Sequence, residues 1–194
     1  MNPAREIVVT GAPPRADASA LQPSQLLETA TDVLLQGLHL LFQLDDHAYT
    51  RVAPAPYSAS IGSHFRRVLE RLQCLVTGFR PGEIDYDAPE RHARVEQEVV
   101  YASVVCCDLL RAFKRFTKDT LAKSCVVVCS GATEQHRSSP AGSTIGRELQ
   151  YCIGDALHHF DIIRLICEEM RIRVPEEFGD ASAARKLLSG LVAH

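Results

Sequence analysis

The 194-residue sequence lacks a long hydrophobic run, a strong charge imbalance and any CxxC pair. No apolar run approaches the ~18 residues that suggest a membrane helix, so we expect no membrane span. The first 22 residues lack the apolar stretch of a signal peptide. Twenty-one basic against 24 acidic residues give a net charge of −3, which does not favour general nucleic-acid binding.

The seven cysteines do not form a recognisable framework. Their odd number and irregular spacing favour a reduced, cytoplasmic protein over a disulfide-linked one. Cys106 and Cys107 are adjacent, and Cys125 and Cys129 lie four apart, which are weak patterns for zinc binding. We therefore expect the cysteines to behave as small buried hydrophobic side chains.

The composition suits one globular domain, since 46% of residues are hydrophobic and 23% are charged. Residues 1–22 are predicted as an N-terminal tail and residues 23–194 as the domain.

Helical periodicity dominates the domain, and it predicts an all-α fold. Four long amphipathic segments separated by turn-forming residues indicate a four-helix bundle, with a short strand-containing crossover before the last helix. The predicted elements are a helix from Pro23 over residues 23–44, a helix over 61–79 capped by Ser60, a helix over 90–117, a strand over 124–129, and a helix over 143–171 that ends before Pro175.

The stretch "GDALHHFD" (154–161) places several polar residues on the last helix. At about 100° per residue, His159 lies roughly 80° and Asp155 roughly 120° from the core stripe on the same side. His158 points away from the core and is predicted to be solvated. On the second long helix, His64 lies roughly 60° from its core stripe. If the two sides face each other, His64, Asp155 and His159 converge.

Two imidazoles and one carboxylate can hold a divalent metal ion and leave positions open for water or substrate. The candidates are zinc, nickel, manganese and iron. The alternatives are a helix-surface Asp–His pair and a half-buried structural histidine. Arg67 and Arg71 continue along the same side of the second helix, where they would either disfavour a metal or bind an anionic substrate. No general base can be identified, and Glu70 is expected to face solvent.

The same residues carry a family resemblance. The segments "SIGSHFRRVLER" (60–71), "GEIDYDAPERHARVEQE" (82–98) and "GRELQYCIGDALHHFDII" (146–163) resemble the pattern SIGxHxRHxxxH, GxxDYDxRxR and GRELQxxxxHxxHH. This pattern is typical of a branch of the DinB-like (YfiT-like) superfamily, bacterial four-helix-bundle metalloproteins. The resemblance spans most of residues 26–180.

The resemblance implies a divalent metal bound by three histidines, one on the second helix and two on the last. Carried over by position, they fall on His64, Asp155 and His159, so this chain has aspartate where the family usually has histidine. Aspartate is a competent ligand for harder metals, although the change could equally weaken or abolish the site.

Three functions follow from the resemblance and the residue types. The first is a metal-dependent enzyme that transfers a thiol, such as a low-molecular-weight thiol, or hydrolyses an unknown small molecule. The alternative is a non-enzymatic bundle with a degenerate metal site, acting in binding or stress response. The third is an iron-dependent oxygenase, because two histidines and a carboxylate form that class's triad.

The last helix also predicts self-association. Apolar residues lie beyond its core stripe, which favours a homodimer through a bundle face. They are Tyr151, Ile162, Leu165 and Ile166.

Overall fold

The computed structural model describes residues 22–87, 92–128, 140–175 and 178–179. Nearly all of the predicted N-terminal tail, and most of the chain after Pro175, lie outside the described residues. In chain order the elements are α1 (Pro23–Leu41), α2 (Asp46–Thr50), α3 (Ile61–Gly78), β1 (Glu83–Asp85), α4 (Ala93–Gln97), α5 (Val99–Phe113), α6 (Lys118–Ala122), β2 (Ser124–Val128), β3 (Ala141–Thr144) and α7 (Ile145–Glu169).

The four long helices α1, α3, α5 and α7 form the predicted bundle, so the all-α fold class is confirmed. Helix α3 packs against α7 more extensively than any other pair of elements in the described ranges. Phe65 of α3 and Phe160 of α7 meet in the core with ring centroids 5.8 Å apart. Gly37 of α1 allows this packing, because a Cβ there would lie 3.0 Å from the Phe160 ring.

Local capping fixes the ends of the helices that carry the polar residues. The Ser60 hydroxyl accepts the Ser63 N–H at 3.0 Å, which starts α3 where the sequence predicts. Helix α7 begins after Thr144 rather than at Ser143. It ends before Pro175 because Arg171 takes a left-handed conformation (φ 55°).

The predicted single helix over residues 90–117 is wrong at two points, since it is interrupted at Glu98 and α5 already ends at Phe113. Glu98 has extended backbone angles (φ −121°, ψ 107°) and separates α4 from α5. The carboxylate of Asp46 accepts the Val99 N–H at 2.8 Å and so caps the new helix from a distant segment.

The crossover contains more strand than the sequence predicts. The predicted strand is β2, and it lies between β1, which is parallel to it, and β3, which is antiparallel. The strands β1 and β3, of three and four residues, are too short to produce a periodic signal. The sheet continues at the Tyr86 N–H, which donates to the Val128 carbonyl at 3.1 Å. This bond brings Tyr86 beside α7.

The cysteines in the described part of the chain are free. Four of these six are buried as expected: Cys106, Cys125, Cys152 and Cys167. The remaining two, Cys74 and Cys107, are half-buried.

The outer side of α7 is less apolar than predicted. Tyr151 and Leu165 are exposed and Ile162 is partly buried. Ile166, however, is fully buried within its own chain, so it cannot contribute to a dimer face. Within the described ranges, no helix combines the length and apolar character needed to cross a bilayer.

Candidate functional site

A line of polar residues runs along α7 where it faces α3. Glu148, Cys152, Asp155 and His159 follow one another at spacings of four, three and four, which places them on one face of the helix. Cys152 and His159 are buried, and Asp155 is half-buried.

A matching line follows the facing side of α3. His64, Arg67, Arg71 and Cys74 are spaced by three, four and three residues. The two helices run antiparallel, since His64 contacts His159 while Arg71 contacts Asp155. We call these two lines together the polar seam.

His64 and His159 form the first part of the seam. Their Nδ1 atoms lie 3.0 Å apart, so one ring donates a hydrogen bond and the other accepts it. Burial, the neighbouring His159 ring and Arg67 lower the pKa of His64 to about 4. Burial also lowers the pKa of His159, although Asp155 opposes that shift. Both imidazoles are therefore neutral at pH 7, which is the form that binds metals.

Asp155 lies one helical turn from His159 but is engaged by an arginine. Its Oδ2 atom is 3.1 Å from Arg71 Nε and 3.8 Å from His159 Nε2. This buried oxygen has no hydrogen-bond partner in the described structure, since His159 Nε2 is too distant and the Arg71 Nε–H does not form a hydrogen bond with it. A buried carboxylate oxygen without a hydrogen bond is uncommon, and here its cationic neighbour is the Arg71 guanidinium.

The arrangement of His64, His159 and Asp155 meets some of the requirements of a metal site but not all of them. The two neutral imidazoles face each other, and the Asp155 oxygen lacks a hydrogen bond. However, His64 meets Nδ1 of His159 whereas Asp155 meets its Nε2, so binding by all three residues requires the His159 ring to reorient. As placed, the described residues contain no group of three or more His, Cys, Asp or Glu able to hold a metal.

Arg71 is held from several sides. Its Nη1 donates to the Tyr151 hydroxyl at 2.6 Å. The guanidinium carbon lies 5.5 Å from the Tyr86 ring centre and 5.1 Å from that of Tyr151, within the range of cation–π contacts. Arg71 therefore points into the seam. Arg67 differs, because its side chain is exposed.

Glu148 and Tyr86 close the far end of the seam. The Tyr86 hydroxyl donates to Glu148 Oε2 at 2.9 Å, and the Ser143 hydroxyl donates to Oε1 at 2.6 Å. Burial raises the pKa of Tyr86 well above its ordinary value. The sequence prediction missed this network, although the position of Glu148, seven residues before Asp155, could have placed it on the same helix face.

Two other predictions concern residues beside the seam. His158 is exposed, as expected for a solvated histidine. The prediction that Glu70 faces solvent is wrong, since its side chain is only 12% exposed. It accepts from Arg66 Nη1 at 2.7 Å and from the His92 N–H at 3.0 Å.

The fold is that of a DinB-like protein. The structure is similar to the crystal structure of YjoA, a DinB-like protein from Bacillus subtilis, with a TM-score of 0.58. The similarity covers 79% of this chain and 98% of that chain at 14% sequence identity, which supports the fold and not a shared activity. The predicted DinB-like resemblance is thus confirmed at the level of the fold.

Sequence comparisons are less informative. No family model matches the chain. A curated relative, FK506-binding protein 5 of Rhizopus delemar, is 27% identical over 96 residues. That match covers 50% of this chain, and the chain spans only a quarter of the relative's length (25%).

Proposed function

We propose that this DinB-like bundle binds one divalent metal ion through His64, His159 and Asp155 and uses it in an enzymatic reaction on a small molecule. The reaction class that suits the site is thiol transfer or hydrolysis. Zinc and nickel suit the two imidazoles, and manganese or iron would suit the added carboxylate.

The observation that carries the proposal is the buried Oδ2 of Asp155. It is paired with Arg71 at 3.1 Å but accepts no hydrogen bond, and it lies 3.8 Å from one of two neutral histidines that already face each other. A cation bound by these three residues would satisfy that oxygen without requiring either imidazole to lose a proton.

The protein's own residues have separate tasks in this proposal. Burial keeps His64 and His159 unprotonated at neutral pH, so that they can act as ligands. Rigid helices hold the two histidines on opposite sides of the seam. A bound divalent ion would make a coordinated water or thiol more acidic. Arg71 must release Asp155 for the carboxylate to become a ligand.

A second candidate function rests on that same arginine. The Arg71–Asp155 ion pair places a cation beside the position where the family has its middle ligand. If the pair is permanent, the chain is a non-enzymatic bundle with a degenerate site that binds another molecule.

Titration calorimetry on untagged protein with zinc and nickel tests the proposal. The unmodified protein should bind one equivalent, His159→Ala should bind none, and the matched control His158→Ala should bind normally. Asp155→His should bind zinc more tightly, because imidazole suits zinc. Negligible binding by all four proteins would favour the degenerate site. Activity assays with thiols and esters are worthwhile only on metal-loaded protein.

Two further expectations belong to the proposal. The free cysteines support a reducing, cytoplasmic location.

A homodimer through α7 is still a prediction, with Tyr151 and Leu165 as its exposed apolar contacts. Light scattering at micromolar concentration should give twice the chain mass, and a monomer mass would contradict it.

A further inference from the structure

A cavity of about 100 Å³ lies against the part of the polar seam that is formed by Arg67, Arg71 and Cys74 of α3. Its lining residues are Arg67, Glu70, Arg71, Cys74 and Tyr86. We propose that this cavity binds an oxyanion group, a carboxylate or phosphate, of a small molecule. The assignment of that molecule as the substrate rests on the proposed function, whereas binding of the anion does not.

The cavity is lined by two arginines, Arg67 and Arg71, and by one glutamate, Glu70. Glu70 accepts hydrogen bonds from Arg66 Nη1 at 2.7 Å and from the His92 N–H at 3.0 Å. Arg66 is itself buried and also binds Glu96 at 2.7 Å. Both carboxylate oxygens of Glu70 are thus engaged by groups other than the two arginines of the cavity, so the donors of those arginines are not used by Glu70.

The two arginines differ in whether their guanidinium groups already have partners in the protein. Arg71 is held in place by Asp155 and by the Tyr151 hydroxyl. Arg67 lies one turn earlier on the same side of α3, and within the described structure it has no ion-pair or hydrogen-bond partner. Arg67 therefore lines the cavity with guanidinium donors that no group in the described part of the chain occupies. Guanidinium groups favour carboxylates and phosphates, because their planar donors match two oxygens at once.

The size of the cavity limits what can enter. A water molecule occupies about 30 Å³ in the liquid, so the cavity has room for about three waters, or for one carboxylate or phosphate group. The rest of a larger molecule would extend along the seam towards His64, which is three residues before Arg67 on the same helix. A bound anion would thereby place its molecule next to the candidate metal ligands.

Nuclear magnetic resonance of the metal-free protein tests the inference. Sodium phosphate and sodium succinate are titrated separately at constant ionic strength, and the Nε–H resonances of the arginines are followed. Saturable shifts of Arg67 and Arg71 are expected with at least one probe. Arg67→Gln should weaken the binding at least fivefold, equivalent to about 1 kcal/mol. Saturable shifts with only one of the two probes would show whether the cavity prefers a phosphate or a carboxylate.

The control variant is Arg115→Gln, since Arg115 is exposed and does not line the cavity. It should bind the probe as the unmodified protein does. His159→Ala should also retain anion binding, which separates this inference from the metal proposal. The inference is overturned if neither probe gives saturable shifts, or if Arg67→Gln binds as tightly as Arg115→Gln.

Discussion

The two ends of the polar seam are built differently. At one end, His64 and His159 contact each other through a single pair of ring nitrogens. At the other end, Glu148 accepts two hydroxyl groups at 2.9 and 2.6 Å, and Arg71 is held by Asp155 and two tyrosine rings. The histidine end is thus sparsely bonded, whereas the arginine end is densely bonded.

This difference suggests separate roles for the two ends, metal binding for the histidine end and structural stabilisation for the arginine end. A metal ion can replace the single hydrogen bond between two neutral imidazoles at little cost, because few other contacts depend on it. The bonds around Glu148 connect the sheet to α7 and hold the seam in shape. Asp155 lies between the two ends, 3.1 Å from Arg71 and 3.8 Å from His159.

The largest effect is expected at the densely bonded end. Glu148→Ala removes the acceptor of both the Tyr86 and the Ser143 hydroxyls, and it should lower the free energy of unfolding by about 3 kcal/mol. Glu168→Ala, on the exposed side of the same helix, should change it by less than about 0.5 kcal/mol. Urea denaturation measures both. Similar values for the two variants would show that the Glu148 network does not stabilise the fold.

An intermediate effect is expected where the two ends meet. Arg71→Met leaves Asp155 without its cation and should cost about 2 kcal/mol, reduced from the fully buried case because Arg71 is 31% exposed. Arg67→Met should cost less than about 0.5 kcal/mol. Because Asp155 is then free to bind metal, Arg71→Met should also bind zinc about tenfold more tightly, a gain of about 1.4 kcal/mol. Weaker zinc binding by Arg71→Met would contradict the proposal that Arg71 and a metal ion compete for Asp155.

The smallest effect is expected from protonation at the histidine end. The pKa of His64 is about 4 in the fold and 6.5 when unperturbed, so the unfolded chain takes up a proton first as pH falls. The free energy of unfolding should therefore fall between pH 6.5 and 4 and be flat above 6.5. After allowance for solvent screening, the His64 contribution is about 1 kcal/mol.

Urea denaturation at several pH values checks this sign. His64→Gln should lose that part of the pH dependence, and His158→Gln should keep it. If stability rose on acidification over this range, the two histidines would not be a neutral pair.

The sequence predicts the bundle well because strong periodicity depends only on neighbouring residues. It does not predict the break at Glu98, since that break depends on Asp46, more than fifty residues away. The strands β1 and β3 were also missed. Their pairing with β2 is a long-range property that three or four residues cannot encode by pattern.

The sequence also predicts part of the candidate site and misses the rest. Angular positions on two helices bring His64 and His159 together, and the structure places them in contact. The sequence placed Arg67 and Arg71 on the side of the proposed ligands but did not predict that Arg71 pairs with Asp155, because the direction of a long arginine side chain depends on the rings around it. Tyr86 was missed as a partner of Glu148 for a related reason, since it is positioned by the sheet and not by a helix.

Metal binding at the histidine end of the seam is tested most directly by anomalous diffraction at the zinc edge from crystals grown with one equivalent of zinc. We expect one strong peak in contact with His64 and His159, with the Asp155 carboxylate turned from Arg71 towards it. A map with no peak at these histidines, or with zinc bound only at His158, would contradict the proposal.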